Sequence, residues 1–222
     1  MSRNISPKQF RESEGVEDWR VLGDGANAYF QTGSFAGGAR LVQAISTLPG
    51  VDELQPEVDL RNDGVTVRML TIAEDYAGMR QPHLELARKI SAAARKLGLS
   101  ADPSKVQSLL VIPGATDRAK VMPFWRAALG YEPRRDSPAE DLVDPRSRGT
   151  PFWFEQMKEP RNDGGGAIHI AVWVPFEQAE ARIAAALAAG GRLVRDTFAP
   201  SWWTLADPAG NEVDIATTKG RD

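Results

Sequence analysis

The sequence predicts an α+β protein made of two domains in tandem, and three observations carry that expectation. Segments of strand period and segments of helical period alternate along the 222 residues. One short polar, proline-bearing stretch, Leu99-Ser100-Ala101-Asp102-Pro103-Ser104, interrupts the alternation near the middle. Beyond it, the order strand, helix, strands occurs twice, which suggests an internal duplication of one small unit. The expected organisation is a first domain over 1–99, a linker over 100–105 and a second domain over 106–222.

Within the first domain, Ser6-Pro7-Lys8-Gln9 sets an N-cap, a first-turn proline and helix formers in order, predicting a short helix to about Glu14. Trp19 to Leu22 and Ala26 to Thr32 read as a hairpin around Gly23-Asp24-Gly25. Ser34 to Leu48 carries an apolar stripe of Phe35, Ala39, Leu41, Val42 and Ile45 at helical spacing. Val58 to Leu60 and Val65 to Leu70 bracket the turn signal Asn62-Asp63-Gly64. Pro82 to Leu97 is the clearest helix, with Ala87, Ile90, Ala94 and Leu97 on one face and Gly98 placed to close it.

In the second domain, Val106 to Ile112 is an apolar strand and Asp117 to Leu129 a helix that must tolerate or kink at Pro123. Phe152 to Met157 is a strand, Asp163-Gly164-Gly165-Gly166 a flexible connection and Ile168 to Val174 a second apolar strand. Phe176 to Ala189 is a helix with Ala179, Ile183, Ala186 and Leu187 on one face, ended by Gly190-Gly191. Leu193 to Thr197, Trp202 to Ala206 and Glu212 to Ala216 follow as strands, the last two joined by the tight turn Asp207-Pro208-Ala209-Gly210-Asn211.

Composition narrows the function classes. A formal net charge of −3 with interspersed signs leaves no basic face for nucleic acid, and Arg134-Arg135 and Arg146 to Arg148 read as solvated loops. The absence of cysteine removes disulfides, thiolate metal sites and a cysteine nucleophile. No apolar run approaches the roughly 20 residues of a membrane span, and no signal peptide follows Met1-Ser2-Arg3-Asn4. The expectation is a cytoplasmic protein that meets neither membrane nor nucleic acid. No Ser/His/Asp order, phosphate-cradling loop or dinucleotide fingerprint is present.

The stretches Pro56-Glu57-Val58-Asp59-Leu60-Arg61, Gly64-Val65-Thr66-Val67-Arg68-Met69-Leu70-Thr71 and Leu84-Glu85-Leu86-Ala87-Arg88-Lys89-Ile90 resemble the core of the pterin-4a-carbinolamine dehydratase family, and Trp19-Arg20-Val21-Leu22 fits its opening hairpin. The likeness covers most of residues 6 to 98 and implies an antiparallel sheet with helices on one face. The family dehydrates a reduced pterin carbinolamine using histidines as proton donors and acceptors. Its His-His-Pro motif reads Leu54-Gln55-Pro56 here, and its histidine after a threonine reads Thr71-Ile72. Leucine and isoleucine transfer no proton and glutamine none at ordinary pH, so this former site, Leu54, Gln55 and Ile72, is expected to lack ordinary dehydratase activity. His83, at the start of the last helix, reads as a surface or capping residue, because a positive helix N-terminus disfavours an imidazolium. Residues 73–76 are about two longer than the family's equivalent, either a reshaped pocket or an ordinary insertion.

Pro123-Phe124-Trp125-Arg126-Ala127-Ala128-Leu129-Gly130-Tyr131, Ile168-His169-Ile170-Ala171-Val172 and Asp207-Pro208-Ala209-Gly210-Asn211-Glu212-Val213-Asp214-Ile215 resemble the glyoxalase-like branch of the vicinal-oxygen-chelate superfamily. That likeness implies paired βαβββ units whose curved sheet encloses a pocket. It carries the superfamily's metal-ligand positions onto Gln107 or Ser108, Glu155, His169 and Asp214. The first of these departs from the usual His or Glu, and many relatives bind no metal. No cofactor is therefore expected, with His169, Glu155 and Asp214 kept as weak candidates for a divalent ion. Trp125 reads as core. Trp153, Trp173 and one of Trp202 and Trp203, which face opposite sides of a strand, read either as core or as a flat apolar platform.

These readings converge on a retooled small-molecule enzyme of lyase, isomerase or cyclase type, with specialised metabolism as its expected setting. His169, Glu155 and Asp214 are its catalytic candidates, and Gln107, Trp153, Trp173, Trp202 and Trp203 its ligand-binding candidates for an aromatic or polycyclic organic ligand. The alternatives are a non-catalytic ligand-sequestering or partner-binding protein, with a homo-oligomer allowed, and a surviving 4a-hydroxytetrahydrobiopterin dehydratase.

Overall fold

The computed structural model describes residues 3–23, 25–159, 168–206 and 212–221. Asp24 of the first hairpin turn, the Asp163–Gly166 connection and the Asp207–Asn211 turn lie outside the described residues. The fold is α+β. The chain divides into two compact units: Met1–Thr71, Ala77–Val106 and Arg221–Asp222 form the first, and Ile72–Tyr76 with Gln107–Gly220 the second.

The first unit runs β1 (Asn4–Ile5), α1 (Pro7–Arg11), β2 (Arg20–Leu22), β3 (Gly25–Gln31), α2 (Phe35–Ser46), α3 (Val51–Leu54), β4 (Glu57–Leu60) and β5 (Gly64–Met69), followed by the hairpin β6 (Thr71–Ala73) and β7 (Tyr76–Arg80), of which Ile72–Tyr76 group with the second unit. Helix α4 (Gln81–Lys96), β8 (Ser100–Ala101) and a 3₁₀ turn at Pro103–Lys105 complete it. Helix α1 begins where the sequence predicts it. The Ser6 hydroxyl accepts from the Gln9 amide at 3.1 Å, and Gln9 Oε1 accepts from the Ser6 amide at 2.9 Å. It ends earlier than expected, at Arg11 with Glu12 as its C-cap, and the chain then turns at Gly15 (φ 83°).

Strands β2, β3, β5 and β4 form an antiparallel sheet in that order. Ala26, Ala28 and Phe30 of β3 lie in register with Met69, Val67 and Val65 of β5, and all six are fully buried. They form one core with Leu41 and Ile45 of α2 and Leu86, Ala87, Ile90 and Ala94 of α4. Ala87, Ile90 and Ala94 of the stripe read from sequence are thus buried on α4, whereas Leu97 is its C-cap and is exposed. Trp19 joins the layers, its indole N–H donating to the buried Ser91 hydroxyl at 3.1 Å and its ring set edge-on to Phe30 at 6.4 Å. Residues 100–105, expected as a free linker, are hydrogen-bonded into this unit. Ser100 and Ala101 pair with Gln31 and Phe30, and the Asp102 amide donates to the Tyr29 carbonyl at 2.9 Å.

The second unit holds β9 (Ser108–Ala115), α5 (Arg118–Leu129), β10 (Glu132–Pro133), β11 (Asp141–Val143), β12 (Phe152–Trp153) and β13 (Glu155–Gln156). It then repeats the order as β14 (Ile168–Trp173), α6 (Phe176–Ala188), β15 (Arg192–Arg195), β16 (Trp202–Ala206) and β17 (Glu212–Ala216). The strand order β10-β11-β12-β9-β14-β17-β16-β15 places two βαβββ halves side by side. In each half the first strand runs parallel to the last, β9 with β12 and β14 with β17, and the halves meet through the antiparallel pair β9–β14. The expected strand over 152–157 is two short pieces, each paired with β9. Strands β10 and β11 escaped the sequence reading because each is only two or three residues long. Among the described residues no helix is long and apolar enough to cross a membrane.

Helix α2 packs closely on the sheet at Gly38, where an added Cβ would stand 2.3 Å from Leu60 Cδ1 and 3.1 Å from Val65 Cγ2. A helix-interior Gly→Ala change ordinarily gains about 1 kcal/mol, and overpacking costs roughly 1–3 kcal/mol. Gly38→Ala is therefore expected to lower stability in urea denaturation. A double-mutant cycle with Leu60→Ala should return a favourable coupling, since shortening Leu60 opens the space.

Candidate functional site

Strand alternation sorts the second sheet into two faces. Val172, Trp203, Leu205, Val213 and Ile215 lie on the helical face and pack with Ala179, Ile183 and Ala186 of α6. Phe152 shares that face through its register with Val111, and Trp125 of α5 tilts against it at 5.4 Å. The opposite face collects His169, Ala171 and Trp173 from β14, Asp214 from β17, Trp202 and Thr204 from β16, and Ser108, Leu110 and Ile112 from β9.

Register brings three of these side chains into line. Asp214 is paired with Ala171 on one side and with Thr204 on the other, which leaves His169 diagonal to it. The Thr204 hydroxyl donates to Asp214 Oδ1 at 2.6 Å, and Asp214 Oδ2 stands 3.4 Å from His169 Nε2. Thr204 is 1% exposed and Asp214 9%. Both carboxylate oxygens are therefore answered inside the protein, as burial of a charge requires. The His–Asp separation is long for a hydrogen bond and within ion-pair reach.

Glu155 is not part of this array. It is exposed and lies in register with Gly114, on the far side of β9 from His169. With neighbouring strands about 4.8 Å apart, the two backbones are separated by roughly 10 Å. Gln107 is turned away as well, its Oε1 accepting from Arg182 of α6 at 3.4 Å, whereas Ser108 lies in register with Trp173 on the site face. The four chelate positions therefore do not converge on a common point. Among the described residues no group of three or more His, Cys, Asp or Glu side chains is placed to hold a metal ion. The donor set does not fit a chelated cation.

The tryptophans divide. Trp153 shares its face with Glu155, and its indole N–H donates to Glu140 Oε2 at 3.2 Å. Glu140 Oε1 in turn pairs with Arg118 at 3.0 Å. Trp202 is half-buried and stacked on Phe198 with centroids 4.3 Å apart and planes 16° from parallel. Trp173 is on the same face but only 8% exposed. Trp203 lies on the helical face, in the α6 core. Sequence reasoning missed Thr204 and Glu140. Alternation from Trp202 would have placed Thr204 on the site face, whereas nothing near Glu140 announces its partner thirteen residues on.

In the first unit, Leu54 ends α3 and Gln55 follows in a left-handed conformation (φ 45°, ψ 58°), whereas Ile72 lies in β6 and groups with the second unit. His83 is a cap, and a buried one. Its Nδ1 accepts from the Arg80 amide at 3.0 Å, so Nε2 carries the proton and faces the Thr71 hydroxyl at 3.3 Å. Burial holds the imidazole below its ordinary pKa. An unfolded chain takes up that proton near pH 6.5 while the folded one resists it. The neutral cap's stability is therefore complete above about pH 6.5 and declines as pH falls through the lower folded value. His83→Gln keeps a side-chain acceptor at the same helix position and removes the titration. Melting temperatures taken from pH 7.5 to 5 should fall less steeply in the variant than in the parent.

Residues 110–216, which lie within the second unit, match a protein-family model described as a glyoxalase-like domain. The crystal structure of a glyoxalase/bleomycin resistance protein/dioxygenase superfamily member from Vibrio splendidus 12B01 is similar to this chain at 15% identity. The likeness covers 50% of this chain and 99% of that one, with a TM-score of 0.33. No curated protein matches the chain.

Proposed function

We propose that the second unit is a small-molecule proton-transfer enzyme of lyase, isomerase or cyclase type, with His169 as its acid–base group. The observation that carries this reading is the Thr204–Asp214–His169 array: a histidine backed by a buried carboxylate whose other oxygen is fixed by a hydroxyl. Such an arrangement orients an imidazole and stabilises the imidazolium formed when it accepts a proton. The half-buried Trp153 and Trp202 supply flat apolar surface on the same face, which favours a planar aromatic or polycyclic substrate. Glu155, standing apart, is proposed to contact ligand rather than to share the proton.

Sequestration without turnover is the second reading, favoured by the Trp202–Phe198 stack, which offers ring surface but no acid–base group. For residues 6–98 we propose a dehydratase-like module whose catalytic positions are now Leu54, Gln55 and Ile72. The order of a short helix, a hairpin, a helix, two paired strands and a long helix supports that reading. A quinonoid dihydropterin assay is expected to give no more than the spontaneous rate.

The test of the main reading begins with small molecules that co-purify with the chain, identified by mass spectrometry, together with a panel of planar aromatic compounds titrated by tryptophan fluorescence. Bound compounds are then followed for conversion. His169→Ala and Asp214→Ala should each lower kcat, His169→Ala by roughly 10²–10⁴-fold, while the fluorescence-derived affinity changes little. Ligand returned chemically unchanged by the unaltered protein would favour sequestration, and full turnover by His169→Ala would remove His169 from the chemistry.

A further inference from the structure

We infer that the nitrogen of His169 that meets substrate is Nδ1, and that Thr204 is the positioning residue that makes it so; the catalytic part of this inference rests on the proton-transfer reading above. A neutral imidazole carries one proton on one of two nitrogens, and its neighbours decide which. Here Nε2 stands 3.4 Å from Asp214 Oδ2. With the proton on Nε2, the N–H dipole points at the carboxylate. With the proton on Nδ1, the Nε2 lone pair would face that negative oxygen and repel it. The carboxylate therefore selects the Nε2–H form, and the lone pair is left on Nδ1. Among the described residues Nδ1 has no hydrogen-bond partner. That makes it the atom able to accept a proton, and Asp214 then stabilises the charged ring through Nε2.

The selection works only while Asp214 Oδ2 stays aimed at the ring. A carboxylate on a single torsion can turn about its own axis, and the Thr204 bond to Oδ1 at 2.6 Å holds that torsion. Thr204 is 1% exposed, so its hydroxyl has no bulk water to turn to instead. Because Thr204 and Asp214 are directly opposed on antiparallel strands, the hydroxyl is delivered by register rather than by a mobile loop. Thr204 reaches Asp214 and not the substrate, so its part is orientation.

The chain has only two histidines, which makes the assignment directly measurable. Imidazole ¹⁵N NMR of the ligand-free full-length protein, at a pH where both rings are neutral, reads which nitrogen is protonated. His83→Gln identifies the His83 signals by their loss. His169 is expected as the Nε2–H form. Thr204→Val should convert it to a mixture of both forms, and Thr204→Ser, which keeps the hydroxyl, should restore the single form. Backbone amide spectra verify that each variant remains folded. His169 protonated at Nδ1 in the unaltered chain would overturn the nitrogen assignment. An unchanged His169 form in a folded Thr204→Val variant would overturn the role of Thr204. On a converted substrate, Thr204→Val should lower kcat by on the order of 10–100-fold with KM nearly unchanged, and Thr204→Ser should recover most of it. The spectra contain no ligand, so they judge the nitrogen alone, whereas turnover that survives His169→Ala overturns the proton-transfer reading separately.

Discussion

The Asp214 carboxylate sits in a sheet where little water reaches it, and the arrangement around it follows from that need. A buried charge without partners costs several kcal/mol in real proteins. Here the cost is met by a hydroxyl on one neighbouring strand and an imidazole on the other. Both depend on register. A one-residue slip of β16 against β17 would bring Trp203 opposite Asp214 in place of Thr204 and turn the strand's apolar set to the wrong face. The α6 core, which holds Trp203, Leu205, Val213 and Ile215 on the other side, opposes that slip. Hydrophobic packing on one face thus secures the polar geometry on the other.

The first unit answers its buried polar groups in a similar way, to a different end. His83 closes the start of α4 and Ser91 receives the Trp19 indole from the opening hairpin. His83 is answered by the Arg80 amide and the Thr71 hydroxyl, while the Trp19 bond to Ser91 ties α4 to a segment distant in sequence. A histidine there is compatible with a helix N-terminus because it is neutral; an imidazolium would meet both the helix dipole and the cost of burial.

Much of this was legible in the sequence because period and punctuation agree. The apolar stripe of α4, the cap at Ser6, the alternation through Ile168–Val174 and the split between Trp202 and Trp203 follow from residue spacing, and the structure places each accordingly. Strands β10 and β11 were not legible, since two or three residues carry no period. The separation of Glu155 from His169 was not legible either. Both residues alternate onto the same face, but the intervening strand β9 is contributed from far upstream, and lateral distance in a sheet is set by strand order. Thr204 was within reach of the alternation argument, yet a threonine beside two tryptophans gives no sign of its partner until β16 and β17 are paired.

The pairing of Ser100 and Ala101 with β3 also bears on how such a tandem could have been assembled. A fusion joined by a loose tether leaves each half free to be exchanged for another. Here the proline-bearing segment supplies an edge to the first sheet, so the seam belongs to one of the two modules. Replacing the second module with an unrelated one would have to preserve everything through Lys105. The main-chain division between the units falls between Val106 and Gln107, a few residues beyond where the amino-acid composition marks it, with residues 72–76 the one upstream stretch that groups with the second unit.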